Sequence, residues 1–157
     1  LKLRASAGIG GTVDLPEVPR SRREADQAIR VLRTWRLDQS IARFDEVRMD
    51  VLLLHMSDLA GEDRSLMAGP LPVLAEHDRR NGTRYLDTLR AYFDAFGDVR
   101  QAARHLRVHV NTVRYRLQKL QDLTGLRLDD ADQRLLMMLQ LRLLQLRGPE
   151  STTGASC

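Results

Sequence analysis

Residues 98–125 read DVRQAARHLRVHVNTVRYRLQKLQDLTG, and this stretch decides the fold. Its apolar positions recur every three or four residues, which is the spacing of helices that bury one face. Asp98 with Gln101 forms a capping box and predicts a short helix over 99–106. A tight turn at 107–108 then separates this helix from a second one. Two short helices joined in this way are typical of a helix-turn-helix.

The second helix combines one apolar stripe with one polar face. His109 or Asn111 caps its start, and it runs to about Leu123. Gly125 provides the C-cap. The apolar stripe is formed by Val113, Leu117 and Leu120. The other positions carry Asn111, Thr112, Arg114, Tyr115, Arg116, Gln118 and Lys119. Arginine pairs with guanine or phosphate, and asparagine pairs with adenine, so this face has the chemistry that recognition of duplex DNA requires.

Two further features support a compact motif with an anionic partner. Ala102 and Ala103 are small enough to let the two helix axes approach, and Val108 is placed to fix the turn. Between Gly97 and Asp122 the chain has six basic and two acidic residues, an excess equal to the net charge of +4 of the whole chain. A basic protein-interaction module and a DNA binder without sequence preference fit the same pattern, so both stay open as alternatives.

Helices are also predicted on both sides of this motif. The preceding helix runs from Thr83 to about Ala95. Its inner face is expected to hold Leu86, Leu89, Tyr92, Phe93 and Phe96. The following helix starts at a capping box of Asp130 and Gln133 and runs to about Leu146. Its leucines and methionines leave almost no polar face, so one side is expected to cover the DNA-binding domain. Another side is expected to pack on residues 51–59 or on a second copy, and the second alternative predicts a homodimer.

The first half of the chain predicts a small mixed region. A strand remnant entering a loop is expected within residues 1–20, where the glycines at 8, 10 and 11 indicate a turn. A helix capped by Ser21, with Glu24 as its capping-box partner, is expected to run to Trp35. The later elements are an extended piece near 41–44, a helix over 50–59 and a short helix from Gly69-Pro70 to about Arg80.

The second half resembles a known family. The run His109-Val-Asn-Thr-Val-Arg-Tyr-Arg-Leu117, with residues 86–99 before it and Leu123-Thr-Gly-Leu126 after it, resembles the C-terminal domain of PucR/CdaR-type bacterial transcription regulators. The similarity covers about residues 69–146. It implies that the helix from about His109 to Leu123 enters the major groove.

The resemblance also implies which side chains meet DNA. His109 is carried over as the helix cap, with Asn111 and Thr112 near the bases or the backbone. Arg114, Tyr115 and Arg116 are expected beside the phosphates. Lys119, on the same polar face, is added as a phosphate contact. Val110 departs from the family, because many relatives carry a polar or basic residue or proline there; it either touches a thymine methyl or packs.

Residues 1–50 more weakly resemble the end of the GGDEF-like domain that precedes the helix-turn-helix in many members. Gly8-Ile9-Gly10, the helix over 21–35 and Phe44-Asp45 carry this similarity. Such a domain is expected to be non-catalytic in this family. Its first part is missing here, so cyclase activity is not expected. The resemblance further implies an effector that is bound by a region absent from this chain.

The expected fold class is therefore mainly α. A Fis-like helix-turn-helix domain of three to four helices follows a helical linker and a small α/β remnant. The expected ranges are 1–60 for the remnant of the regulatory domain, 61–82 for the linker with its short helix, 83–147 for the DNA-binding domain and 148–157 for a disordered tail.

The chain offers little for catalysis or metal binding. His105 and His109 are four residues apart, but the predicted turn lies between them. The aspartates at 129, 130 and 132 are better explained as helix caps than as a cation site. No nucleophile–base arrangement is present, so we expect neither an enzyme nor a cofactor.

Weaker sequence signals indicate the cellular compartment of the protein and its relation to membranes. The single cysteine, Cys157, allows no disulfide within one chain and fits a reducing, cytoplasmic compartment. The longest apolar stretch, 135–146, is too short and too polar to cross a membrane. The chain starts at Leu1 without methionine, which indicates a piece of a longer protein.

Overall fold

A computed structural model describes residues 5–147 and is mainly helical, as predicted. The chain divides into two compact units between Glu62 and Asp63. No helix in the described part of the chain combines the length and the apolarity that crossing a membrane requires. The predicted tail at 148–157, with Cys157, lies outside the described residues.

The first unit is built around one parallel strand pair. Strand β1 (Ala7–Ile9) pairs with β2 (Ile41–Arg43), with Ala7 opposite Ile41. Helix α1 (Val18–Thr34) connects the two strands, as a parallel pair requires, and α2 (Phe44–Glu62) follows β2. A short 3-10 turn, Leu15–Glu17, leads into α1. The core of this unit consists of Ala28, Val31, Leu32, Ala42, Val47, Val51 and Leu54, with Trp35 and Phe44 at its edge.

Two glycines beside the first strand, Gly8 and Gly10, serve close packing rather than the predicted turn. Gly8 lies within β1, and a Cβ added there would overlap the backbone oxygen of Ala25 in α1. A Cβ on Gly10 would overlap the backbone oxygen of Ser21 in the same way. Glycine is therefore required because the strand runs directly against the helix backbone. The prediction of a turn was wrong, since periodicity carries no signal for this contact.

The predicted capping box at Ser21 and Glu24 was also wrong. Helix α1 already begins at Val18, with proline in its first turn. The Ser21 hydroxyl donates to the Gly11 carbonyl oxygen at 2.7 Å, and the Glu24 carboxylate accepts from the Gly11 amide at 2.8 Å. Both side chains thus fasten the segment after β1 to the side of α1.

Helix α2 is longer than predicted, because it begins at Phe44 instead of Asp50. Asp45 and Glu46 lie in its first turn, where the partial positive charge of the helix N-terminus stabilises carboxylates. Between Phe44 and Asp50 only Val47 is buried, so the apolar repeat is too sparse there to mark a helix.

The second unit contains five α-helices among residues 63–147: α3 (Pro70–Asn81), α4 (Tyr85–Asp94), α5 (Val99–Leu106), α6 (Val110–Thr124) and α7 (Ala131–Arg147). A 3-10 turn, Arg64–Met67, precedes them. Their side chains share one core, which includes Leu71, Leu74, Leu89, Phe93, Ala102, Val113, Leu117, Leu120, Met137 and Leu141. Because Leu71 and Leu74 of α3 are fully buried in this core, α3 is part of the unit rather than a linker.

The α3–α4 corner is held by Asp78. Its carboxylate accepts from the Thr83 hydroxyl at 2.5 Å and from the backbone amides of Tyr85 and Leu86 at 2.9 Å each. These amides belong to the first turn of α4 and have no partner within that helix. Helix α3 therefore supplies the N-terminal cap of α4.

Phe96 does not face inward, contrary to the prediction. Its φ is +52°, and 91% of its surface is exposed. The Gly97 amide donates to the Tyr92 carbonyl oxygen at 2.9 Å, and the Phe96 amide donates to that of Phe93 at 2.9 Å. This pattern ends α4 as a Schellman motif, with Phe96 at the left-handed position that glycine usually takes. The left-handed backbone turns the aromatic ring away from the core.

Helix α7 is held by hydrogen bonds at its N-terminus and near its middle. Asp130 accepts from the Gln133 amide at 3.0 Å, and the Gln133 side chain accepts from the Arg127 amide at 2.9 Å. Further along, the buried Gln140 donates to the carbonyl oxygens of Leu66 and Ala68 at 2.8 and 3.2 Å. The 3-10 turn before α3 is thereby bonded to the last helix of the same unit.

Candidate nucleic-acid interface

Helix α5 has the predicted bounds and cap. The Asp98 carboxylate accepts from the amides of Gln101 and Arg100 at 3.1 and 2.8 Å. These hydrogen bonds to the ionised form hold the pKa of Asp98 below its usual value of 3.8. Ala102 and Ala103 are fully buried, so no larger side chain separates α5 from its neighbours in the core.

The turn between α5 and α6 depends on three residues. Arg107 has a φ of +54° and ends α5. The Val108 amide donates to the Ala103 carbonyl oxygen at 3.1 Å, and the half-buried Val108 side chain packs against the core. His109 caps α6, because its Nδ1 accepts from the Asn111 amide at 3.2 Å. Of the two candidate caps, His109 is the one the structure uses.

This turn also separates the two histidines that a metal site would need. His105 lies within α5 and His109 caps α6. Within residues 5–147, no three side chains of His, Cys, Asp or Glu come together as a metal site would require.

Helix α6 divides its side chains as predicted. Val113, Leu117 and Leu120 are buried in the core. The opposite face exposes Asn111, Arg114, Tyr115, Gln118, Lys119 and Asp122. Because α6 buries only one stripe, a continuous polar surface runs along its outer side.

Three of the predicted contact residues lie at the edges of this surface. Val110 is half-buried and packs against the core, so of its two expected roles the structure supports packing. Thr112 is half-buried as well. Arg116 is half-buried, and its Nη1 lies 3.5 Å from the hydroxyl oxygen of Thr88 in α4. Sequence periodicity gave no indication of this contact with α4.

The exposed side chains interact with one another along the helix. Arg114 Nη1 lies 3.4 Å from Asn111 Oδ1, and Lys119 Nζ lies 5.8 Å from the centre of the Tyr115 ring. The Gln118 amide donates to Asp122 at 2.9 Å. The first two turns of α6 therefore carry cationic and amide groups, while the carboxylate lies towards its C-terminal end.

The cations of this motif lack carboxylate partners. Within the described chain, no carboxylate lies within 4.0 Å of the basic groups of Arg100, Arg104, Arg107, Arg114, Arg116 and Lys119. Ten arginines elsewhere in the chain do have such a partner, for example Arg36 with Asp50 at 2.6 Å. The α5–α6 motif thus carries a cluster of positive charge that no salt bridge among the described residues neutralises.

Three of these cations were missing from the predicted interface. Arg100, Arg104 and Arg107 are exposed on α5 and in the turn, outside the recognition helix to which the contact residues were assigned. The charge excess between Gly97 and Asp122 was the signal that included them.

Comparison with known proteins agrees with this geometry. Residues 85–143, which span α4 to most of α7, match the family model of the PucR C-terminal helix-turn-helix domain. Over these residues the second unit is therefore similar to helix-turn-helix domains of the PucR type.

Individual relatives extend the similarity. The chain is 29% identical over 140 residues to the uncharacterized protein YsfB of Bacillus subtilis, covering 88% of this chain and 35% of YsfB. It is 31% identical over 134 residues to an uncharacterized protein of Haemophilus influenzae, covering 83% and 35%. It is 29% identical over 73 residues to the DNA-binding transcriptional activator AdeR of Bacillus subtilis, covering 46% and 17%. The chain thus spans about a third of the length of the first two relatives.

Proposed function

We propose that this protein regulates transcription by binding duplex DNA sequence-specifically, with α6 in the major groove. The observation that carries the proposal is the set of six basic side chains on α5, the turn and α6, none of which has a carboxylate within 4.0 Å among the described residues. The PucR-type domain and the similarity to the transcriptional activator AdeR support it.

The positions of the exposed side chains along α6 suggest which of them contact bases and which contact phosphates. Asn111 is exposed in the first turn, where a recognition helix presents its side chains to base edges. Arg114, Tyr115 and Lys119 occupy the exposed face beyond it and are assigned to the phosphate backbone. Asp122 would repel phosphate, so the N-terminal half of α6 is the part that enters the groove.

Thr112 and Arg116 complete the proposed interface from its edge. Thr112 has a hydroxyl and a methyl group, which suit a phosphate or a thymine. The guanidinium of Arg116 has five N–H donors, and the contact with Thr88 engages one of its nitrogens. The contact orients the side chain and leaves donors for a phosphate oxygen.

We further infer that the first unit is the end of a regulatory domain of the GGDEF-like kind. Parallel strands normally lie within larger sheets, whereas β1 and β2 form a pair. The similarity to YsfB and to the Haemophilus influenzae protein extends over most of this chain, and both relatives are about two and a half times as long. An effector is proposed to bind in the remainder of such a protein.

Selection from a pool of random duplex DNA at several salt concentrations tests the proposal. We expect enrichment of one motif together with affinity that falls as salt rises. Salt-dependent binding of all duplexes without enrichment would favour a nonspecific DNA binder. Absence of binding even at low salt would favour the alternative of a protein-interaction module.

Two matched variants then locate the base contact. Asn111→Ala should weaken binding to the selected motif by on the order of tenfold to a hundredfold and leave binding to unrelated duplexes nearly unchanged. Gln118→Ala removes a second exposed amide, two turns further along α6, and should change neither. Equal losses on every duplex for Asn111→Ala would contradict a role of Asn111 in base recognition.

A further inference from the structure

Helix α7 has an apolar surface on the side that faces away from its own core. Met137, Gln140 and Leu141 are buried within the second unit. On the opposite side, Leu135 is 58% exposed and Leu139 is half-buried. A helix that is apolar on two sides is stable in water only when both sides are covered.

Charged residues bracket this surface in a regular order. Asp132, Leu135, Leu139 and Arg142 follow one another at intervals of three, four and three residues, which places them on one face of α7. We call this row the α7 stripe. Asp132 is exposed, and no basic group of the described residues lies within 4.0 Å of its carboxylate. The Arg142 side chain is 61% exposed, although it lies 3.7 Å from Asp94.

An antiparallel copy of the α7 stripe would place Arg142 opposite Asp132, so the stripe is complementary in charge to a second copy of itself that runs in the opposite direction. We propose that two copies of this chain associate through antiparallel α7 helices, with the two-fold axis near Met137. Asp132 of each copy then lies opposite Arg142 of the other, and Leu135 lies opposite Leu139. A parallel arrangement would set Asp132 against Asp132 and Arg142 against Arg142, which is repulsive. Antiparallel helices also oppose their dipoles favourably.

This arrangement deepens the proposed function, on which its biological use rests. A two-fold interface is isologous and presents two identical recognition helices in opposite directions. DNA sites read by such dimers are inverted repeats. The same dimer therefore predicts an inverted repeat in the selected DNA motif.

Charge reversal tests the pairing without DNA. Asp132→Arg alone and Arg142→Asp alone should each weaken self-association by about tenfold or more, because each brings like charges together twice. Mixing the two variants should restore association as a heterodimer, since all opposed charges are then complementary. Sedimentation equilibrium of the whole chain measures both effects, and far-UV circular dichroism confirms that each variant is folded.

Asp129→Arg is the matched control, because Asp129 is 81% exposed at its side chain and lies outside the α7 stripe. It should leave self-association unchanged. A wild-type chain that stays monomeric at all concentrations would overturn the proposal, as would single variants that associate like the wild type. Because no DNA is present, either result leaves the proposed DNA binding standing, and loss of DNA binding alone leaves the dimer standing.

Discussion

The carboxylate of Asp78 accepts a 2.9 Å hydrogen bond from the backbone amide of Tyr85, so α3 caps α4 from outside. Asp78→Ala removes this bond together with those from Leu86 and Thr83. We expect the free energy of unfolding of the second unit to fall by about 2 kcal/mol, the usual cost of losing a cap with several hydrogen bonds. Urea unfolding followed by the tyrosine bands of the near-UV circular dichroism spectrum measures it, because all three tyrosines lie in the second unit.

Asp129→Ala is the control for this measurement. Its only described ion pair is exposed and spans 3.7 Å to Arg127, so its loss should change stability by less than about 0.5 kcal/mol. Equal effects of Asp78→Ala and Asp129→Ala would show that the α3–α4 corner is held in some other way.

Two glycine substitutions in the first unit should act in opposite directions. Gly10→Ala forces a Cβ into the backbone oxygen of Ser21 and should destabilise the unit by about 2 kcal/mol or more. Gly61→Ala lies within α2, and its Cβ would meet nothing within 4 Å, so it should stabilise the helix by about 0.5 kcal/mol. Trp35 is the only tryptophan and packs on the core of this unit, so its fluorescence during thermal unfolding reports both changes. The same direction for both variants would refute the close packing of Gly10 on α1.

Phe96→Asn should stabilise the second unit by about 0.5–1 kcal/mol. Asparagine tolerates a left-handed backbone better than phenylalanine does, and a 91% exposed ring has little packing to lose. The melting temperature recorded by far-UV circular dichroism gives the sign. Destabilisation would mean that Phe96 is covered in solution.

Acid should weaken the cap of α5. The folded-state pKa of Asp98 is lowered by hydrogen bonds from the Gln101 and Arg100 amides, so its stabilising contribution is present above an unfolded-state pKa of about 4. That contribution is lost as pH falls through the lower folded-state pKa. Asp98→Asn keeps a capping oxygen that does not titrate. Urea unfolding measures the free energy of unfolding of the wild type and of this variant. The difference in favour of the wild type should therefore become smaller as the pH falls from 5 to below 4. A constant difference across this range would contradict the shift.

Removing phosphate contacts should reduce the salt dependence of DNA binding. Arg114→Ala with Lys119→Ala should weaken binding to every duplex and lower the slope of log affinity against log salt by about 0.9 per contact. Arg22→Ala with Arg23→Ala, which removes two exposed arginines of the first unit, serves as the charge-matched control. If the double variant and the control keep the same slope as the wild type, α6 does not contact phosphates through these residues.

Local signals account for what the sequence predicted well. The bounds of α5 and the end of α6 depend on Asp98 and Gly125, whose caps act within one helical turn. The buried stripe of α6 follows from periodicity alone. Contacts between distant segments account for the rest: Ser21 bonds to Gly11, and α3 supplies Leu71 and Leu74 to a core that lies mostly after residue 84. No window of neighbouring residues contains that information.

The same reasoning applies to the candidate interface. The exposed positions of α6 were predicted, because the helix period determines which side chains lie opposite its buried stripe. The contact of Arg116 with Thr88 depends on another helix and was not predicted. The packing of Val110 was one of the two roles expected for it, but the sequence did not distinguish between them. The DNA contacts themselves stay predictions.

The hydrogen bonds from Gln140 to Leu66 and Ala68 decide where the DNA-binding part can be cut. A shortened protein that starts at residue 63 keeps both of these bonds and all of α3. One that starts at residue 83 loses the two acceptors, so the buried Gln140 amide has no hydrogen-bond partner for its donors. It also loses Leu71 and Leu74, which exposes the core surface that they cover. The segment that could be transferred intact to another protein is therefore some twenty residues longer than its recognisable motif.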